Sequence, residues 1–194
     1  MAAVTVGVLW LVSRAAGLVA LVLLTTTVVL GTVSTARTRS ATWPRWARQA
    51  LHRDVALLSI GALAVHIGAV VLDNYVDIRW YVALVPFVSA YRPVWVGLGT
   101  IAFDLVLVVI ATSLLRVRLG VRTWRAVHWL TYAAWPVAVL HYLTTGTDAG
   151  APWGVALAVL AIGAVAIAVA VRVKTAAELA RVASTVPPAA RSAR

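Results

Sequence analysis

The chain has 194 residues, 62% of them hydrophobic and 12% charged, with a formal net charge of +11 and no cysteine. A water-soluble globule of this size cannot hide so much apolar surface, so composition excludes one and points to a bilayer. The absence of cysteine excludes disulfides and iron–sulfur clusters.

A spanning helix takes roughly 20 apolar residues at about 1.5 Å each. Five stretches qualify, at about 4–30, 51–72, 94–115, 124–144 and 153–173. The expected fold is an all-α membrane protein: one bundle of five transmembrane helices over residues 1–173, with a short, basic, partly disordered tail over 174–194. The first stretch lacks a basic leader, and its apolar run is too long for a signal peptide, so it reads as a retained helix. Arg14 sits about ten residues into it, roughly 15 Å deep, where an unpaired guanidinium is costly. It needs a carboxylate, either Asp104 at a similar depth in the third helix or one belonging to a bound group.

Arg37, Arg39, Arg45, Arg48 and Arg53 lie around the start of the second helix, which carries His52 and His66. Fourteen residues at 100° each return to within about 40° of the same face, so these two histidines share one. The connection from Asp73 to Pro93 holds Trp80, Tyr81, Phe87, Tyr91 and Arg92. It reads either as a cap over a site, with Ser89, Tyr91 and Arg92 as its polar groups, or as an interfacial helix. The third helix contains Asp104, and Arg116, Arg118, Arg122 and Arg125 follow it.

The fourth helix carries His128, Trp135, Pro136 and His141. Thirteen residues leave His141 about 140° away from His128 on an ideal helix, so the two can face one way only if the helix is rewound. Pro136 is the expected place, because proline removes a backbone hydrogen bond and kinks a span. Trp135 follows His128 by seven residues and returns to its face midway to His141, as a spacer between two sites or as packing. Trp43, Trp46 and Trp124 on one side, and Trp80, Trp95 and Trp153 on the other, read as interface anchors. The fifth helix runs into Arg172, Lys174, Arg181, Arg191 and Arg194.

Basic residues gather on one side of the membrane. Two of the connections and the C-terminal tail carry fourteen of them, against Arg79 and Arg92, with Asp73, Asp77 and Asp148, on the other. The positive-inside rule then puts the N-terminus outside and the C-terminus in the cytoplasm. A basic rim beside anionic lipid accounts for the net charge, so no nucleic-acid partner is expected.

With that topology the second and fourth helices are parallel. His52 pairs with His128 near the inner edge, and His66 with His141 about 20 Å further out. One shared metal centre is excluded by that separation. Haem iron accepts histidine axially; no cysteine is present, the only methionine is Met1, and no CxxCH exists to attach haem covalently. Two non-covalent b haems with bis-histidine ligation follow, the inner on His52 and His128 and the outer on His66 and His141. Arg14 and Arg92 would meet outer propionates, and Arg53 and Arg125, with Arg48, inner ones. Each inner arginine reads equally well as a positive-inside residue.

These residues resemble the ferric reductase-like transmembrane domain shared by NADPH oxidases, eukaryotic ferric reductases and bacterial haem membrane subunits. The resemblance rests on His52 with His66, the segment WRAVHWL from Trp124 to Leu130, and His141. The loop PFVSAYRP from Pro86 to Pro93 and the GTD from Gly146 to Asp148 add to it, over about residues 10–172. The departures are five helices where the oxidases have six, and no flavin or nicotinamide domain. The resemblance implies a transmembrane electron wire, a membrane subunit of a reductase. Its donor would be a separate cytoplasmic flavoprotein or quinol, and its acceptor an extracytoplasmic molecule or partner protein.

No flavin or NAD(P) is expected on this chain, since no GxGxxG opens a helix and about twenty residues follow the fifth span. Alanine, valine and arginine bias with a single lysine suggests a bacterial cytoplasmic membrane. The rival reading is a non-redox transporter or haem-handling factor with the histidines as a proton relay or transient haem ligands.

Overall fold

The computed structural model describes residues 2–35, 44–73, 76 and 78–185. The expectations resting on Arg37, Arg39, Trp43, Asp77, Arg191, Arg194 and the end of the tail lie outside these residues. The described chain is all-α: α1 (Ala2–Thr35), α2 (Arg45–Leu72), a 3₁₀ turn (Trp80–Ala83), α3 (Pro93–Leu114), α4 (Arg116–His128), α5 (Thr131–Thr145) and α6 (Pro152–Thr185).

Among the described residues four helices are long and apolar enough to cross a bilayer: Gly7–Ser34, Arg45–Leu72, Pro93–Leu114 and Pro152–Val182. Lipid-side surface is left uncovered, as with Leu57, Leu58 and Val65 of α2 and Val159, Leu160 and Ile167 of α6. Hydroxyls inside α1 need no outside partner, because Thr25, Thr26, Thr27 and Thr32 donate to carbonyls four residues back.

The stretch expected as one span over 124–144 is divided. α4 begins before it, holds its first five residues and is itself broken at Gly120, whose φ of 76° and ψ of 156° belong to a conformation glycine adopts easily. α4 and α5 are then joined through Trp129 and Leu130. Here the backbone bonds shorten by one residue: Trp129 to Ala126, Leu130 to Val127, Tyr132 to Trp129 and Ala133 to Leu130. This is 3₁₀ winding, about 120° per residue in place of 100°.

Winding of this kind adds about 20° per residue, in the direction of the phase that thirteen residues of ideal helix lack. The rewinding expected at Pro136 therefore sits about one turn earlier, while α5 runs on through the proline. The reason is steric: a proline ring collides with the carbonyl four residues back, here that of Tyr132, so the disturbance falls on its N-terminal side. Side chains hold the tightened segment. Arg172 of α6 donates to the Tyr132 hydroxyl at 2.8 Å and lies 5.0 Å over the Trp129 ring. Tyr132 also meets the fully buried Thr32 of α1 at 3.1 Å.

The core forms where α1, α5 and α6 meet, around Leu21, Val28, Trp135, Val139, Tyr142, Ala158 and Ala161. α2 packs along α1, and α5 along α3. α2 has no comparable packing against α3, α4, α5 or α6, and buries only Ser59 and Ala69 along its length. The two histidine-bearing segments are thus each backed by another helix, α2 by α1 and α5 by α3.

Among its described residues the α2–α3 connection holds the 3₁₀ turn and no α-helix. Val82 is buried, and Thr100 of α3 donates to its carbonyl at 2.8 Å. Trp80, Tyr81, Leu84, Val85, Phe87 and Val88 stay exposed. Ser89 is buried and donates to the Tyr91 carbonyl, so its hydroxyl is not turned outward.

Candidate functional site

Each histidine of α2 faces one from the α4–α5 segment. The His52 and His128 ring centres are 6.4 Å apart with planes at 66°, and those of His66 and His141 are 6.5 Å apart at 76°. Two imidazoles bound on opposite sides of one metal, at about 2.0 Å per bond, would have ring centres about 6.3 Å apart. Both pairs therefore stand at the spacing that a single intervening metal requires. Among the described residues no three metal-ligating side chains converge.

Three of the four rings are oriented by a backbone carbonyl. His66 donates from Nδ1 to the Ser13 carbonyl at 2.8 Å, His52 to that of Thr27 at 3.1 Å, and His141 to that of Trp95 at 2.9 Å. A carbonyl only accepts, so Nδ1 carries the proton and Nε2 keeps the lone pair a metal needs. Such a bond fixes the tautomer and the ring direction together.

A glycine stands four residues after each of these carbonyls. A Cβ at Gly17 would come within 2.8 Å of His66 Nδ1, one at Gly31 within 3.3 Å of His52 Cε1, and one at Gly99 within 2.6 Å of His141 Cε1. The imidazoles thus lie in notches that any side chain would fill. Composition and apolar periodicity do not reveal this, but one signal was present: Gly17 and Gly31 are spaced by fourteen residues, as are His52 and His66.

His128 is the exception. Its Nδ1 is buried without a partner. The Trp124 ring lies against it at 5.1 Å, with planes 33° apart, so Trp124 packs on a site residue as well as standing near an interface.

The other expected residues divide by position. Trp135 is buried between the two levels, and its Nε1 donates to Thr25 Oγ1 at 3.0 Å. Arg92 ties the start of α3 to the end of α5 by donating to the Thr144 carbonyl at 2.8 Å. Arg53 is exposed and pairs with Asp54 at 3.0 Å, and Arg125 is exposed on α4. Arg48 lies one turn before His52, on its face, and its Nε is buried without a partner.

Arg14 is paired by Asp148, not by Asp104. Nε donates to Asp148 Oδ2 at 2.9 Å while Nη2 meets Oδ1, and the guanidinium lies 4.2 Å over the Trp10 ring. Asp148 belongs to the connection between α5 and α6, which meets α1 at Arg14; linear depth along the helices did not include that connection. Among the described residues Asp104, half-buried on α3, has no ion-pair partner. Replacing Asp148 by alanine should destabilise the protein by about 1–3 kcal/mol, because a largely buried guanidinium loses its acceptor. Thermal unfolding in detergent measures this, and Arg14→Ala in the same background should recover part of the loss.

Residues 16–139, well over half of the chain, match the family described as ferric reductase like transmembrane component. That segment contains His52, His66 and His128, and His141 follows it by two residues. No curated protein and no solved structure gives a significant match.

Proposed function

Because the chain belongs to the ferric reductase-like transmembrane family, we propose that it conducts electrons across a bilayer through two bis-histidine b haems, as the membrane subunit of a reductase. The observation that carries this reading is the pair of imidazole separations, 6.4 and 6.5 Å, on two levels of one bundle. The residues fit the group on three counts: metal-compatible spacing and, at three of the four rings, Nε2 lone pairs set by carbonyl bonds and glycine notches that bring backbone close to the ring. Haem bound in this way supplies a six-coordinate one-electron couple.

The chain's own residues hold and order the path. His52 and His128 form the inner ligand set, and His66 and His141 the outer. α1 and α3 keep the imidazoles from swinging, which limits rearrangement when charge changes at the metal. Trp135 fills the interval between the two levels and is pinned through Thr25, so that interval stays dry and of constant width. Arg48, with its buried free Nε, is the best placed arginine for an inner carboxylate; Arg53 and Arg125 lie further out toward solvent. Arg92, and Arg14 with its remaining N–H groups beyond those given to Asp148, serve the outer side.

In this reading α5 and the end of α4 make the fourth of five crossings, the N-terminus is outside, and the C-terminus is in the cytoplasm of a bacterial cell. Fifteen helical residues reach only about 22 Å, so the 3₁₀ segment and the last turn of α4 complete the crossing. A cytoplasmic flavoprotein or membrane quinol is the donor, and the acceptor meets the outer face under the 3₁₀ turn.

A pyridine haemochrome assay on the purified protein should give two b haems per chain, and the reduced-minus-oxidised spectrum should show low-spin bands from both. No haem, or one haem per chain, would overturn the proposal.

A further inference from the structure

The exception at His128 has a definite structural cause. Three histidines share one arrangement, a carbonyl acceptor with glycine four residues later: Ser13 and Gly17, Thr27 and Gly31, Trp95 and Gly99. In α1 the two arrangements are fourteen residues apart. The same step along α3, from Trp95 and Gly99, arrives at Val109 and Ser113. Here the glycine position is a serine. Its hydroxyl donates to the Val109 carbonyl at 2.7 Å and accepts from Trp124 Nε1 at 3.2 Å. The carbonyl that would anchor His128 is taken, the notch is closed by a side chain, and the indole held by Ser113 lies on the imidazole. Arg116, 5.4 Å over the same indole, fixes it from the cytoplasmic helix.

We propose that Ser113 and Trp124 are positioning residues that withhold a backbone acceptor from His128, and thereby make the inner haem the higher-potential one of the two. The inference rests on the dihaem reading above. An imidazole whose Nδ1–H donates to a carbonyl gains basicity and favours the oxidised metal; one whose Nδ1–H is buried without an acceptor does not. The outer set, His66 and His141, has two such bonds, and the inner set has one, on His52. Ligand type is the same at both levels, so the difference lies in what stands behind each ligand. An electron entering from the inner side would then settle first on the better acceptor.

Ser113→Gly removes the hydroxyl and opens the notch, leaving the Val109 carbonyl open to His128 with only the longer 3.2 Å bond from Thr112 beside it. A potentiometric titration followed in the visible should show the inner midpoint falling by an amount equivalent to about tenfold in the redox equilibrium, about 59 mV for one electron, with the outer midpoint unmoved. The inner wave is the one that survives in His66→Ala protein. The low-spin EPR signal of the inner iron should shift in the same variant. If Ser113→Gly does not accumulate, Trp124→Phe frees the Ser113 hydroxyl to accept from His128 and should move the inner midpoint in the same direction. Two haems per chain with the inner midpoint and EPR signal unchanged in the variant would overturn this proposal and leave the dihaem reading intact. Wild-type protein lacking two haems would instead overturn the dihaem reading itself.

Discussion

His66→Ala should reduce haem from two per chain to one and abolish reduction of acceptors offered from the outer side. In the proposed dihaem reading His66 and His141 are the whole ligand set of the outer level, with no third metal-ligating group beside them among the described residues. Alanine also leaves the Ser13 carbonyl and the Gly17 notch empty, so nothing re-forms the site. The inner pair is about 21 Å away along α2 and packs on a different part of α1, so its haem should be retained with its spectrum unchanged. The haemochrome ratio and stopped-flow reduction of an impermeant acceptor measure both effects. Retention of two low-spin haems would remove His66 from the ligand set.

Gly99→Val should imitate the loss of a ligand although Gly99 binds nothing. A Cβ there would lie 2.6 Å from His141 Cε1 and 2.7 Å from Nδ1, and valine adds two methyl groups at the same spot. The ring must leave the Trp95 carbonyl, and with it the direction of Nε2. The smaller Gly99→Ala should weaken outer haem binding by about 10–100-fold, the usual cost of disturbing the support of a metal ligand. Gly61 provides the control, because a Cβ there meets nothing within 4 Å. Gly61→Ala should leave both haems bound and, as a helix-interior change, stabilise by up to about 1 kcal/mol. Haem titration of the apo forms separates the two positions. Equal retention at Gly99 and Gly61 would show that the notches are incidental.

The residues that sequence could identify and those it could not differ in the range of the forces acting on them. His52 and His66 share a face because helical phase is local, and fourteen residues carry it intact. His128 and His141 violated that phase, and the violation was visible; its remedy was misplaced at Pro136 because the 3₁₀ segment is held by Arg172 and Thr32, which come from two other helices. The 124–144 span was drawn as a single helix because hydropathy does not register a change from 100° to 120° per residue. Arg14 plainly required a carboxylate, yet depth counting offered only Asp104 or a group bound to the protein, since the α5–α6 connection that supplies Asp148 has no periodicity to follow.

By itself the sequence determined that this is a membrane protein and that its four histidines stand in twos at two levels, because apolar length and helical spacing are properties of a segment alone. Only the tertiary structure decided which carbonyl holds each imidazole, which glycine makes room for it, and why His128 is left without an anchor. Those outcomes depend on the separation of two backbones to within about an ångström, and that separation is set by how α1 and α3 pack against the helices that bear the ligands.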